Sequence, residues 1–149
     1  MIQSGIPSSN VTYVAGTVHI TNASNVAAYM TWGNNGGQNK DYALNSNVVF
    51  SAQSSWYIIK TVESYNGQRI DTGQGTFIKW FSPNAFGGSN YLNTPVAAVT
   101  HVEEPQYQGV SDSTTYFGLW VLNKNFAICA WTSRRTPVFQ AVGDPLVQR

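Results

Sequence analysis

The chain reads as an all-β protein, a single-domain antiparallel β-sandwich of jelly-roll-like or actinoporin-like build with little or no helix. Three observations predict it. Short runs rich in β-branched and aromatic residues are separated by Gly, Asn, Pro and Ser, the pattern of sandwiches and barrels. No stretch of helical length repeats its apolar residues at the 3.6 period. Of 149 residues, 13% are aromatic and only 10% charged, where soluble domains carry about 25% charge. That length suits one core, so residues 1–149 are expected to form one domain, with 1–10 and 143–149 as extended arms.

The elements follow from the pattern. Val11 to Thr21 alternates, placing Val14, Gly16, Val18 and Ile20 on one face. Val26 to Trp32 is a second strand, stopped by the run Gly33-Asn34-Asn35-Gly36-Gly37. Leu44 to Ala52 is a third. Ser55 to Tyr65 and Gln68 to Phe81 read as a hairpin across Asn66-Gly67, because Asn-Gly favours the type I′ turn. Unbroken register sets Trp56 opposite Phe77, and a bulge at Gly73 or Gly75 shifts it by one. Residues 82–93 read as a loop, and Val96 to Val102 as a strand. Thr114 to Leu122 and Phe126 to Thr132 read as a second, fully covered hairpin across Asn123-Lys124-Asn125. Val138 to Val142 is a last strand, at an edge.

Composition excludes several functions. Eight cations and seven acids leave a net charge of +1, and only Arg134 and Arg135 are adjacent cations. Nucleic-acid binding needs a clustered basic face, so none is expected. One cysteine, Cys129, permits no internal disulfide, and its apolar neighbours mark a buried thiol. Two histidines, His19 and His101, are a poor inventory for metal or proton transfer, so neither cofactor nor metal is expected. Glu103 and Glu104 are adjacent in a strand and point to opposite faces, which prevents them from flanking one bond. The chain is therefore not expected to be an enzyme. No apolar run reaches the roughly 18 residues of a membrane span. The amino terminus has no signal-peptide pattern, which points to the cytoplasm, leaderless export or a particle surface.

What remains suits recognition. Phe86 and Tyr91 lie in a loop with Asn84, Asn90 and Asn93, and aromatic rings in loops stack on ligands while amides bond them. Asn34 and Asn35 form a second amide cluster near Lys40-Asp41. Trp80 joins the first group if the bulge turns it outward. Trp32, Trp56, Trp120 and Trp131 are expected in the core. The expected function is a lectin-like module that binds a cell-surface glycan or a membrane lipid headgroup through these aromatic and Asn-rich loops. The alternative is a structural subunit of a virion, phage appendage or other ordered assembly, since low charge suits tight homo-oligomeric packing.

Residues 18 to 87 also resemble the aegerolysin family. Val18-His19-Ile20-Thr21-Asn22 resembles its first strand, Trp32-Gly33 and Lys40-Asp41 its Trp-Gly and Lys-Asp pairs, and Gly75-Thr76-Phe77 its Gly-Thr-Phe start. Trp80-Phe81-Ser82-Pro83-Asn84-Ala85-Phe86-Gly87 is similar to its Trp-Asp-Cys-Pro-Trp-Gly loop, with Phe81 and Ser82 in place of Asp and Cys. The resemblance implies an actinoporin-like sandwich and lipid-headgroup binding near Trp80, Phe86 and Lys40-Asp41.

Overall fold

The computed structural model describes residues 6–16, 19–34 and 40–149. Its architecture is mixed α/β, which overturns the all-β sandwich. Four strands form the main sheet: β2 (Ala28–Thr31), β4 (Ile58–Thr61), β5 (Ala97–His101) and β6 (Phe139–Gly143), side by side in that order. β2, β4 and β5 run parallel, with Tyr29 opposite Ile59 and Ile59 opposite Ala98. β6 closes the edge antiparallel to β5. Away from this sheet, β1 (Asn22–Ser24) pairs in parallel with β3 (Val49–Ser51).

Both faces of the main sheet are covered, so Ile58, Ile59, Ala97, Ala98 and Val99 are all fully buried. This is why the strands read as continuous apolar runs. On one face Tyr29, Ile59 and Ala98 pack with Tyr42, Phe50, Tyr57, Trp80 and Phe86. On the other, Ile58, Ala97 and Val99 pack under α3 (Ser113–Val121) and α4 (Phe126–Ser133).

Those two helices are the segments expected as the second hairpin. Asp112 caps α3 by accepting from the Thr115 amide at 2.7 Å, and Asn125 caps α4 through the Ile128 amide at 3.0 Å. Between them, Asn123 takes the left-handed conformation at φ 62. The Lys124 amide donates to the Leu119 carbonyl and the Asn123 amide to that of Trp120, which is a Schellman stop. α4 buries Phe126, Cys129, Ala130 and Ser133, a helical spacing. α2 (Gln106–Gly109) is a single turn after β5.

The first expected hairpin also fails. A turn does form at Asn66-Gly67, with the Gln68 amide donating to the Tyr65 carbonyl at 3.1 Å, but no strand returns from it. Residues 77–80 are instead the short helix α1 (Phe77–Trp80). In the expected first strand, residues 11–16 and 19–21 form no strand, and Thr17 and Val18 lie outside the described residues. The expected carboxyl-terminal arm is docked. The carbonyls of Pro145 and Val147 accept from the Ala127 and Phe126 amides at the start of α4, and the Trp56 indole donates to the Gln148 carbonyl at 2.9 Å.

Candidate functional site

The carboxyl ends of β2, β4 and β5 share one edge of the sheet. Open α/β sheets place their ligand crevices there. The loops on this edge are held by one buried carboxylate. Glu63, two residues beyond β4, accepts the Asn34 and Gly75 amides on Oε1 at 2.7 Å each, and the Tyr42 hydroxyl on Oε2 at 3.3 Å. Two glycines allow this approach. A Cβ on Gly33, where φ is +75, would fall 2.1 Å from Glu63 Cδ, and one on Gly75 would fall 2.5 Å from Tyr42 Cε1. Burial pushes the Glu63 pKa up, and the bonds from Thr61, Asn34, Gly75 and Tyr42 partly oppose that rise.

Asn66 adds a second tie. Its Oδ1 accepts the His101 amide at 2.7 Å and its Nδ2 donates to Thr61 Oγ1 at 2.9 Å, so it joins the ends of β4 and β5. Gln68 Nε2 donates to the Val102 carbonyl at 2.7 Å. Above these ties stand two aromatic side chains, Trp32 (43% exposed) after β2 and Tyr65 (37% exposed) after β4. Tyr65 is held at φ 56, and its amide meets the Glu103 carbonyl at 3.5 Å. The two residues follow neighbouring strands, β2 and β4. His19 borders the same face, with Nδ1 2.9 Å from Thr31 Oγ1 and its ring stacked on Tyr42 at 4.7 Å. Burial lowers its pKa.

A separate polar cluster lies beneath α3. Lys60 is buried and donates to Ser113 Oγ at 2.6 Å. Burial pulls its pKa down to about 8, against an upward pull from Asp112, with Arg135 adding a small downward push. Asp112 is itself paired with Arg135. His101 is fully buried. Neither ring nitrogen has a well-formed hydrogen bond, although the Glu63 backbone lies near the ring. Burial lowers its pKa to about 4. Glu103, two residues on, is exposed and makes no hydrogen bond to the His101 ring.

The residues expected to bind ligand are scattered. Trp80 and Phe86 are fully buried, and Phe86 stacks on Phe50 at 5.1 Å with planes 7° apart. Both belong to the core and drop out of any binding surface. The site implied by the aegerolysin resemblance loses its two aromatic residues with them. Tyr91, Asn84 and Asn90 are exposed, but Asn93 is turned inward, donating to the Phe86 and Phe50 carbonyls. Lys40 pairs with Asp71 and Asp41 with Lys79, so this charged pair is spent on other partners. Asn34 lies on the Glu63 clamp, and its Nδ2 donates to the Gly73 carbonyl at 3.3 Å. Asn35 lies outside the described residues.

Three of the four tryptophans expected in the core, Trp32, Trp56 and Trp131, are instead substantially exposed, and only Trp120 is buried. Cys129 is buried as expected, and burial raises its pKa to about 11. Sequence reasoning missed Glu63 and Lys60. The available signal was their position in the apolar run Tyr57-Ile58-Ile59-Lys60-Thr61-Val62-Glu63, where a strand covered on both faces buries every residue. Among the described residues no acid, histidine or cysteine cluster has the makings of a metal site, and no helix is long and apolar enough to cross a membrane. Compared with known proteins, the chain matches no family model, no curated protein and no solved structure.

Proposed function

We propose that this chain is a recognition module for a neutral glycan, and that its binding surface is the carboxyl edge of the parallel sheet. One observation carries the reading: Trp32 and Tyr65 expose aromatic surface on adjacent strand ends, over loops pinned by Glu63. Rings held on a rigid base stack on sugar faces at little entropic cost. Glu103, whose carbonyl meets the Tyr65 amide, and Glu104 are exposed just beyond β5, and carboxylates there can accept from sugar hydroxyls. The same carboxylates oppose phosphate, which favours a glycan over an anionic lipid headgroup. Binding without catalysis is favoured because Glu63 has its oxygens committed to amides and a phenol, and His101 is sealed from solvent. A glycan array probed with the wild type, Trp32→Ala and Trp131→Ala tests the proposal. The array signal is expected to vanish with Trp32→Ala and to persist with Trp131→Ala. A folded wild type that binds no glycan rejects it.

A second reading, a subunit of an ordered assembly, is favoured by the outer face of α4. Ile128 and Trp131 are exposed there, with Arg134 over the Trp131 ring at 5.4 Å. Native mass spectrometry separates the readings, since a persistent monomer at high concentration supports the first alone.

A further inference from the structure

At the amino end of β2, away from the proposed glycan edge, lies a cavity of about 490 Å³. Pockets of roughly 300–1,000 Å³ with apolar walls and a few polar groups are the usual form of small-molecule sites. The walls here are built by Ile6 and Val11 from the amino-terminal turn, by Val26 and Ala27 leading into β2, and by Trp120 and Val121 from α3. The Trp120 indole N–H is committed to the Ala27 carbonyl at 3.0 Å, and Trp120 itself is fully buried behind this wall. The rim carries neutral amides such as Asn10 and Asn25. Among the described lining residues Arg149 is the one with a charged side chain.

Apolar walls and a lone guanidinium define a ligand. We infer that this cavity binds an amphiphile with an unbranched alkyl body and a carboxylate head, the alkyl chain lying against Val26 and Val121 and the head seated on Arg149. Filling the cavity removes apolar wall from water, and the guanidinium pairs bidentately with a carboxylate. An amine head meets the guanidinium as a like charge and is rejected. The inference is independent of the glycan reading, since the cavity and the aromatic edge share no residue.

Calorimetric titration of the full chain with decanoate, decanol and decylamine, each below its micelle-forming concentration, tests it. Decanoate is expected to bind, decanol about tenfold more weakly, as the loss of a charge-assisted pair predicts, and decylamine not at all. Arg149→Gln should reduce decanoate to the level of decanol. Ala27→Leu and Val121→Phe, each of which adds bulk to a lining residue, should abolish both. Val121→Phe at the partly exposed end of α3 decides the matter if Ala27→Leu fails to fold. The inference is overturned by a folded wild type that does not bind decanoate, by equal binding of decanoate and either analogue, or by wild-type affinity in a folded Val121→Phe.

Discussion

His101 makes the stability of this protein depend on pH in a way that can be worked from the structure. Its ring is fully buried, its nitrogens lack well-formed hydrogen bonds, and Lys60 stands near enough to repel its charged form. The folded pKa is lowered from 6.5 to about 4. A lowered pKa means that the unfolded chain binds the proton first. The neutral ring's contribution is therefore complete above pH 6.5 and is lost as the pH falls towards 4. Linkage gives a loss of about 2 kcal/mol by pH 5 and about 3 kcal/mol by pH 4. Because neither nitrogen has a strong bond to lose, His101→Leu should be close to neutral at pH 7. It should overtake the wild type as the pH falls, by about 2 kcal/mol at pH 5. Urea unfolding of both proteins at pH 7, 6, 5 and 4 measures this difference directly. Parallel pH profiles, or a loss of several kcal/mol in His101→Leu at pH 7, would refute the reasoning.

Three further outcomes follow from the buried groups. Lys60→Met should be more stable than the wild type at pH 7, by up to about 3 kcal/mol. Since the folded Lys60 pKa is lowered to about 8, that gap should close as the pH rises from 8 towards 10.5, as denaturant midpoints will report. Glu63→Gln keeps an oxygen for the Asn34 and Gly75 amides and removes the buried charge. The Glu63 pKa is raised, so the wild type loses stability as the pH climbs through that value. The Gln variant should thus gain on it above the ordinary carboxylate range in thermal melts, while Glu63→Ala should lose both loops and any ligand binding. Phe86→Ala should cost about 3–5 kcal/mol in chemical unfolding without changing the affinity of the protein that remains folded, because the ring lies in the core.

The strands were the legible part of this fold. Val96–Val102 was readable because a continuous apolar run bounded by polar residues is a covered strand, and it appears as Ala97–His101. The same rule misassigned residues 114–122 and 126–132. Short apolar runs do not separate strand from helix, and Thr, Tyr, Phe, Trp and Ile in those runs favour strands. The deciding signals were the caps Asp112 and Asn125, each directly before its helix. Asn123 then closes α3 from the left-handed region, a role shared by hairpin turns and helix stops. Parallel pairing was not legible, because it depends on which runs meet across crossovers some 24 to 35 residues long and not on the local pattern.

The site was less legible than the fold, for a related reason. Phe86 and Tyr91 look alike on paper, five residues apart in one Asn- and Gly-rich segment. One is sealed against Phe50 and the other stands 55% exposed. Side-chain direction in such a loop is fixed by long-range contacts, here Asn93 reaching back to the Phe50 carbonyl. The amide cluster was no easier to read: Asn34 lies on the Glu63 clamp through its backbone amide, and its side chain is turned to the Gly73 carbonyl. Trp32, assigned to the core because it ends an apolar strand, instead steps past the last β2 pairing at Thr31 and turns outward.

The account rests on Trp32. Calorimetry of the strongest oligosaccharide from the array, titrated into the wild type, Trp32→Ala and Trp131→Ala, tests it most directly. The account predicts that Trp32→Ala loses at least about tenfold in affinity, the worth of one stacked ring, while Trp131→Ala retains wild-type affinity. Wild-type affinity in a folded Trp32→Ala, or a loss confined to Trp131→Ala, contradicts it.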